Sequence, residues 1–253
     1  MSWIFFLFGL ASLTGQILLL REILVIFHGT EISLGIFFSS WLLGIGIGAS
    51  VGARVVKQSP GEPHGLFAHS LVLLGLSLVF HSGLIRLGPR LFGASPAELT
   101  ALHGLLLAVP TGTFVTSFLT GFLFPVGCRC MGKAGGRSIG RLYAYEGLGG
   151  LAGGLAFTFF LARFVEPLHS AAIMCVCLAA GSIIYSSCRG IKSPLIGAVP
   201  LFMAAVVLLL PQGRVFSDWT VLSRWKSLHP GLKLLESRPT PYQHVEIASL
   251  GKQ

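Results

Sequence analysis

Charged residues are scarce in this chain: of its 253 residues only 11% are charged, whereas 53% are hydrophobic. Ordinary soluble domains carry about 25% charged residues, so this composition excludes a soluble globular protein. It also excludes a disordered chain, a collagen and a disulfide-stapled secreted module, since each of these needs a composition that is absent here. The sequence therefore predicts an all-α polytopic membrane protein, a bundle of transmembrane helices that has the lipid bilayer as its main partner.

Residues that could carry catalysis or hold a metal are few and scattered. Aspartate occurs only at Asp218, and the five cysteines include two Cys-x-Cys pairs but no Cys-x-x-Cys. The eight histidines stand singly, without the His-x-x-x-His or His/Cys spacing of a metal site. No Gly-x-Gly-x-x-Gly follows a predicted strand. We therefore expect no catalytic residue, no metal and no cofactor in this chain, and we interpret the cysteines as structural thiols.

Six apolar segments are long enough to cross a membrane. They fall near residues 3–28, 32–53, 66–87, 101–126, 139–164 and 168–188. A seventh segment, 194–211, is shorter and contains three prolines. We expect it to cross as a tilted or kinked span, with a segment that does not cross as the alternative. Residues 1–211 are therefore predicted to form a bundle of six or seven helices.

The composition changes after the seventh segment. Phe216, Trp219, Leu222 and Trp225 recur at every third position, which predicts a short interfacial helix with its Trp side chains at headgroup depth. We assign residues 212–232 to this amphipathic linker. Residues 233–253 are strand-like and interrupted by prolines, which predicts a short β-stub.

Basic residues indicate how the bundle is oriented. Eight Lys and Arg residues follow the second, fourth and sixth spans, whereas three follow the first, third and fifth. By the positive-inside rule, loops 54–65, 129–141 and 189–193 should face the cytoplasm of a bacterial cell, across its inner membrane. The net charge of +9 is then explained by the basic loops that orient the helices in the membrane, and no nucleic-acid partner is expected. The tail lies outside the cell if 194–211 crosses, and in the cytoplasm if it does not.

Glycines spaced four residues apart predict close contacts between helices. Gly44, Gly48 and Gly52 share one face of the second span, and Gly149 and Gly153 share one face of the fifth. Small residues at this spacing allow two helix backbones to approach each other inside a membrane. We favour packing within the bundle, with a homo-oligomer interface as the alternative.

Ionisable residues within the spans are the candidate site, because charge inside a bilayer is costly and often functional. The ligand or ion-pair candidates are Gln16, Arg21, Glu22, Glu31, His103 and Glu146, with His28, His81 and Arg86 as further lining residues. All except Glu146 are expected near the same leaflet, where they could line one polar cavity. Arg21 with Glu22 predicts either a buried structural ion pair or a substrate or proton site.

Three stretches resemble the bacterial membrane-bound spermidine synthase-like proteins, a family of polyamine aminopropyltransferases. They are Gln16–Glu22 with His28–Glu31 and Trp41–Gly44, then Gly140–Gly149, which contains Gly-Arg-Leu-Tyr-Ala, and finally Pro230–Gly231, Leu234–Ser237 and Thr240–Ile247. In that family, a multi-span bundle precedes a catalytic domain that transfers an aminopropyl group from decarboxylated S-adenosylmethionine to putrescine. The resemblance implies that residues 233–253 are the start of such a domain. Because its nucleotide loop and acidic polyamine-binding residues are not present up to Gln253, we expect no aminopropyl transfer by this chain alone.

Two classes of function remain open. The resemblance in the tail implies a membrane anchor or sensing domain, with a separate or downstream aminopropyltransferase domain as its partner. Arg21 and Glu22, together with the irregular Gly- and Pro-containing helices, instead indicate a transporter-like bundle that binds a small molecule. The resemblance suggests a polyamine as its first ligand, with Glu22 and Glu31 each receiving an ammonium group.

Overall fold

Long apolar helices make up the body of the molecule. The computed structural model describes residues 2–27, 29–59, 61–91, 102–130, 136–191, 193–240 and 244–250. The six long helices are α1 (Ser2–Ile26), α2 (Glu31–Gln58), α3 (His64–Leu91), α4 (Leu102–Arg129), α5 (Gly136–Ala156) and α6 (Pro167–Cys188). A π-helical turn (Phe157–Leu161) and one more helical turn (Ala162–Phe164) extend α5. All six are long and apolar enough to cross a membrane, which confirms the predicted all-α membrane bundle.

Two further helices and a hairpin follow the six long helices. The seventh apolar segment is helix α7 (Ser193–Leu209), and a bend of 74° separates it from α8 (Pro211–Leu228). Strands β1 (Leu232–Pro239) and β2 (His244–Leu250) pair antiparallel, with an irregular register between Leu234 and Glu236. The end of the described chain is therefore a β-hairpin that follows an amphipathic helix.

Local sequence explains where several of these helices begin and end. The hydroxyl of Thr30 caps α2 by accepting a hydrogen bond from the amide of Ser33, at 3.3 Å. Gly29 precedes this cap with φ +66°, a backbone conformation that side chains disfavour. Pro167 lies in the first turn of α6, where its missing amide proton costs no hydrogen bond.

Helix α3 occupies the centre of the bundle. It contacts α1, α4, α6, α7 and α8, whereas α2 lies mainly along α4, and α5 mainly along α1. The core beside α3 is strongly aromatic; the rings of Phe5 and Phe67, for example, stack at a centroid distance of 5.8 Å. The outer surfaces of α2 and α5 expose many large apolar side chains, as expected for surfaces that face lipid.

Glycine contacts explain why α2 and α4 lie so close together. A Cβ atom on Gly44 would overlap the side chain of Ser117, and one on Gly48 would overlap the carbonyl oxygen of Phe118. On Gly52 it would lie 2.8 Å from the side chain of Pro125. These three glycines therefore pack against α4 within the chain.

The contact between α5 and α1 is built in the same way. A Cβ on Gly149 would overlap the carbonyl oxygen of Phe6, and one on Gly153 would meet that of Leu10. Close backbone approach of this kind replaces the hydrophobic driving force that is missing between helices in lipid. Both predicted glycine faces thus lie at helix contacts inside the bundle.

The tail is located at one end of the bundle. Because successive helices run in opposite directions, the C-terminal ends of α1, α3 and α5 meet the N-terminal ends of α2, α4 and α6. Helix α8 packs against α3 near Arg86 and Arg90, and the hairpin contacts Arg21 of α1. We call this the tail end. Helix α7 therefore leads from the opposite end, where α6 finishes, towards the tail end.

Candidate functional site: a buried arginine network

Arg86 of α3 is the centre of the candidate site. Its side chain is only 1% exposed and forms five hydrogen bonds. Two of them go to Glu22 of α1, from Nε to Oε2 at 3.0 Å and from Nη2 to Oε1 at 2.8 Å. This two-point contact is the strongest geometry available to an arginine and a carboxylate. It connects α1 and α3 inside the bundle.

The remaining donor of Arg86 reaches the other elements at the tail end. Its Nη1 atom lies 2.7 Å from Oε1 of Glu166, which precedes α6. The same atom donates to the hydroxyl oxygens of Ser217 and Thr220 in α8, at 3.1 and 3.3 Å. One guanidinium group therefore holds α1, α3, the start of α6 and α8 together. We call Glu22, Arg86, Glu166, Ser217 and Thr220 the arginine network.

Glu166 carries the second carboxylate of this network. Its Oε2 atom accepts a hydrogen bond from Ser217 and lies 2.9 Å from Nδ1 of His169. Burial alone would raise the pKa of Glu166, but the charge of Arg86 and the hydrogen bonds from Ser217, Arg86 and His169 outweigh burial. The pKa of Glu166 therefore lies below its ordinary value. The network thus brings two carboxylates against one guanidinium.

Helix α8 is held to α3 by a second arginine. Arg90 donates to the hydroxyl of Ser223 at 2.9 Å, and its guanidinium carbon lies 5.6 Å from the ring centroid of Trp219. Ser217, Thr220 and Ser223 stand three residues apart and are all buried, so α8 presents a hydroxyl-lined face to the bundle. The expected interfacial helix is therefore bound to the protein through its polar side.

The hairpin is fixed to the bundle by three separate contacts. Arg224 of α8, which is buried, forms an ion pair with Glu246 of β2. The indole nitrogen of Trp225 donates to the carbonyl oxygen of Leu232 at 2.9 Å. On the other side, Arg21 donates to the carbonyl oxygen of Thr240, between the strands. A two-stranded hairpin is only marginally stable alone, so these contacts explain how it keeps its position.

Arg21 and Glu22 have different main partners: Glu22 pairs with Arg86, and Arg21 donates to the hairpin. Neighbouring positions on a helix point about 100° apart, so the two side chains face different elements. Glu22 points into the bundle and binds Arg86, whereas the guanidinium of Arg21 lies 5.5 Å from the ring centroid of Phe157. Phe157 begins the π-helical turn of α5. Arg21 therefore contacts α5 and the hairpin, and Glu22 forms its ion pair with α3.

The other candidates do not gather around the network. Gln16 and Glu146 are half-buried on α1 and α5, and Glu31 and His103 are exposed in the first turns of α2 and α4. Within the described residues, none of these four joins the hydrogen bonds of Arg86. The single polar cavity expected from the sequence is therefore not formed by them.

Of the further lining residues, Arg86 belongs to the arginine network and His81 does not. His81 is buried, and its Nδ1 atom lies 2.7 Å from Oγ1 of Thr116, which donates to Ser77 at 3.1 Å. This short polar chain links α3 to α4 away from the arginine network. His28 lies outside the described residues. Arg86, which the sequence suggested only as a lining residue, is the residue that organises the site.

Several functional residues were missed by the sequence analysis. Glu166 lies between the predicted spans 139–164 and 168–188, and Ser217, Thr220 and Arg224 lie in the predicted linker 212–232. The hydroxyl residues at positions 217, 220 and 223 recur at every third position, a spacing that puts them on neighbouring positions of one helix face and was a usable signal. Across the residues that the structure describes, no group of three His, Cys, Asp or Glu side chains is suited to hold a metal.

A cavity of about 300 Å³ lies beside the network, between α8 and the hairpin. Its polar lining groups are Glu166, Asp218 and Ser237, and the rest of its wall is Val221 and leucine side chains. An arrangement of two carboxylates beside apolar side chains suits a ligand that carries positive charge on an apolar chain.

These observations define a helical membrane bundle whose C-terminal helix and hairpin are docked at one end by buried arginines. Comparison of the chain with family models, with curated proteins and with solved structures finds no match. The resemblance to spermidine synthase-like proteins is therefore an expectation that these comparisons do not test.

Proposed function

We propose that this chain is the membrane domain of a spermidine synthase-like protein. It serves as the anchor or as the sensing domain of an aminopropyltransferase domain, and it does not catalyse the transfer by itself. The observation that carries this proposal is the docked hairpin. Arg21 of α1 holds it on one side, and Arg224 and Trp225 of α8 hold it on the other. A protein domain connected to these strands, or paired with their open edges, would be fixed at the tail end of the bundle.

The same proposal includes a location in the cell. In a bacterial inner membrane, loops 54–65, 129–141 and 189–193 would face the cytoplasm, because they carry most of the basic residues between the spans. Helix α7 leads from the end of the bundle that holds loop 189–193 towards the tail end. The hairpin would then lie on the outer side of that membrane.

Co-purification of enzymatic activity tests the proposal. The chain is purified in mild detergent from the membranes of its own cells, and the eluate is assayed for aminopropyl transfer from decarboxylated S-adenosylmethionine to putrescine. We expect activity with the wild-type chain and at least a tenfold loss with Arg224→Gln, which removes the ion pair between α8 and Glu246 of the hairpin. The matched control is Arg238→Gln, because Arg238 lies exposed on the same hairpin. A wild-type eluate without activity would contradict the proposal.

A second candidate function is the binding of a small cationic molecule. The cavity beside α8 favours it, because Asp218 supplies a carboxylate and leucines supply an apolar wall, whereas the carboxylate of Glu166 is already bound by Arg86. A polyamine is the first ligand to test, as the family resemblance implies. Glu22, which the sequence offered as a polyamine partner, is instead occupied by Arg86. The candidate site therefore moves from α1 to the cavity.

Calorimetric titration with putrescine and spermidine tests this second function. Asp218→Asn is expected to weaken binding at least tenfold, since it removes one of the two carboxylates of the cavity. Glu31→Gln, which removes an exposed carboxylate on α2 away from the cavity, should leave binding unchanged. Absence of heat with the wild-type protein would exclude a polyamine site in this cavity.

A further inference from the structure

A different cavity, of about 360 Å³, lies at the tail end between α1, α3 and α4. Ile23 and Ile26 line it from α1, Ile85 and Gly88 from α3, and Leu107 from α4. The arginine network contributes no residue to its wall. It is therefore separate from the candidate site described above.

The wall of this cavity is almost entirely hydrocarbon. Among its described lining residues there is no Asp, Glu, Lys or Arg, and only His103 and Thr111 carry polar side-chain atoms. A buried water molecule needs two to four polar partners, which most of this wall does not offer. The cavity is therefore suited to an apolar ligand.

Small residues keep the cavity open. A Cβ atom on Gly88 would meet nothing within 4 Å, whereas one on Gly112 would lie 3.0 Å from Ile85. The helices thus touch at Gly112 and leave space beside Gly88. Ala108 adds a second short side chain to the wall on α4. The space results from the side chains at these positions, and a larger side chain at Gly88 would fill it.

The cavity has an opening towards lipid and a polar end. Leu107 is 71% exposed on the outer surface of α4, where a membrane-spanning helix faces the bilayer. His103 stands in the first turn of α4, at the boundary of the span. Nine residues separate His103 from Gly112, so the cavity extends about 13 Å along α4 at 1.5 Å per residue.

We infer that this cavity binds the hydrocarbon chain of a lipid. The chain enters sideways beside Leu107 and lies against Ile85 and Gly88, and the polar group of the lipid lies near His103. The hydrocarbon belongs to a phospholipid of the bilayer or to a free fatty acid, since both present the same chemistry to the wall. The inference depends on the apolar wall and its opening, and not on the proposed function.

Photochemical labelling tests the inference. The protein is reconstituted in phosphatidylcholine vesicles that contain a trace of phosphatidylcholine with a diazirine in one acyl chain, and adducts are located by mass spectrometry after irradiation. We expect adducts on Ile85, which lines the cavity and is only 7% exposed, and on the outward-facing Leu43. Adducts on Leu43 without any on Ile85 would overturn the inference.

Two variants show whether the label reaches the interior through the cavity. Gly88→Leu should reduce the adducts on Ile85 at least fivefold and leave those on Leu43 unchanged. Gly83→Leu is the matched control, because a Cβ there also meets nothing within 4 Å but Gly83 does not line the cavity. If Gly88→Leu fails to fold, Ala108→Leu fills the same space. Undiminished inner adducts in a folded filled variant would overturn the inference.

A second probe distinguishes the two sources of hydrocarbon. A diazirine-labelled free fatty acid replaces the labelled phosphatidylcholine in otherwise identical vesicles. Inner adducts from the phospholipid identify a bilayer lipid, and inner adducts from the fatty acid alone identify a free acid. Absence of inner adducts with both probes would overturn the inference.

Discussion

Replacing Arg86 with Met is expected to destabilise the bundle strongly, because the change removes the ion-pair partner of the buried Glu22 carboxylate. Removing one member of a buried ion pair typically costs about 3 to 5 kcal/mol. Arg86 also donates to Ser217 and Thr220, and each lost hydrogen bond adds about 1 kcal/mol. Together these losses amount to about 5 to 7 kcal/mol, so at 1.4 kcal/mol per factor of ten the ratio of folded to unfolded protein should fall by roughly several thousandfold to a hundred thousandfold.

The double variant Glu22→Gln/Arg86→Met distinguishes the loss of the whole ion pair from the burial of one unpaired charge. It removes both buried charges, and replacing a buried pair by neutral side chains often costs little. Glu166 keeps its contacts with Ser217 and His169 in this variant. Free energies of unfolding are measured in mixed micelles with increasing SDS, followed by circular dichroism. A double variant that is no more stable than Arg86→Met alone would refute the reasoning.

Three further predictions follow from particular contacts. Gly48→Leu should lower the free energy of unfolding by about 1 to 3 kcal/mol or more in the same assay, because a side chain there overlaps α4. Gly46→Leu, on the open side of α2, should leave the free energy of unfolding unchanged. Since the folded-state pKa of Glu166 lies below its ordinary value of 4.5, its contribution to stability should be complete above about pH 4.5 and lost as the pH falls through the folded-state pKa. Thermal unfolding measured against pH should show this loss in the wild type and a flatter profile in Glu166→Gln; equal profiles would contradict it. A membrane-impermeant thiol reagent added to intact bacterial cells should miss the exposed Cys188 and label Lys226→Cys on α8, and the reverse pattern would contradict the proposed orientation.

Most of the fold was predictable, because span length and glycine spacing are local properties of the sequence. An apolar run such as 66–87 has to be about as long as the bilayer is thick, so it identifies a helix without knowledge of its neighbours. The spacing of Gly44, Gly48 and Gly52 identifies a face that another backbone can approach. Neither pattern states which helix lies on that face, and α4 became known as the partner of α2 only from the structure.

The site could not be predicted in the same way, because its contacts join distant parts of the chain. Glu22 and Arg86 are 64 positions apart, and Arg86 and Ser217 are 131 positions apart. A single sequence carries no signal for such pairings. Proximity in sequence instead suggested Arg21 as the partner of Glu22, although the helix points these neighbours at different elements. The partners of the buried arginines therefore depend on how the helices around them are arranged, which a single sequence does not give.

Hydrogen exchange of the hairpin measures most directly whether it is docked on the bundle. In the wild-type protein, amides paired between Leu232–Pro239 and His244–Leu250 should exchange at least tenfold more slowly than in Arg224→Gln, which breaks the ion pair with Glu246. Lys226→Gln, a change at an exposed position of the same helix, should leave exchange unchanged. Slow exchange in the wild type that is lost only in Arg224→Gln is the predicted result. Hairpin amides that exchange equally fast in all three proteins would contradict a docked tail.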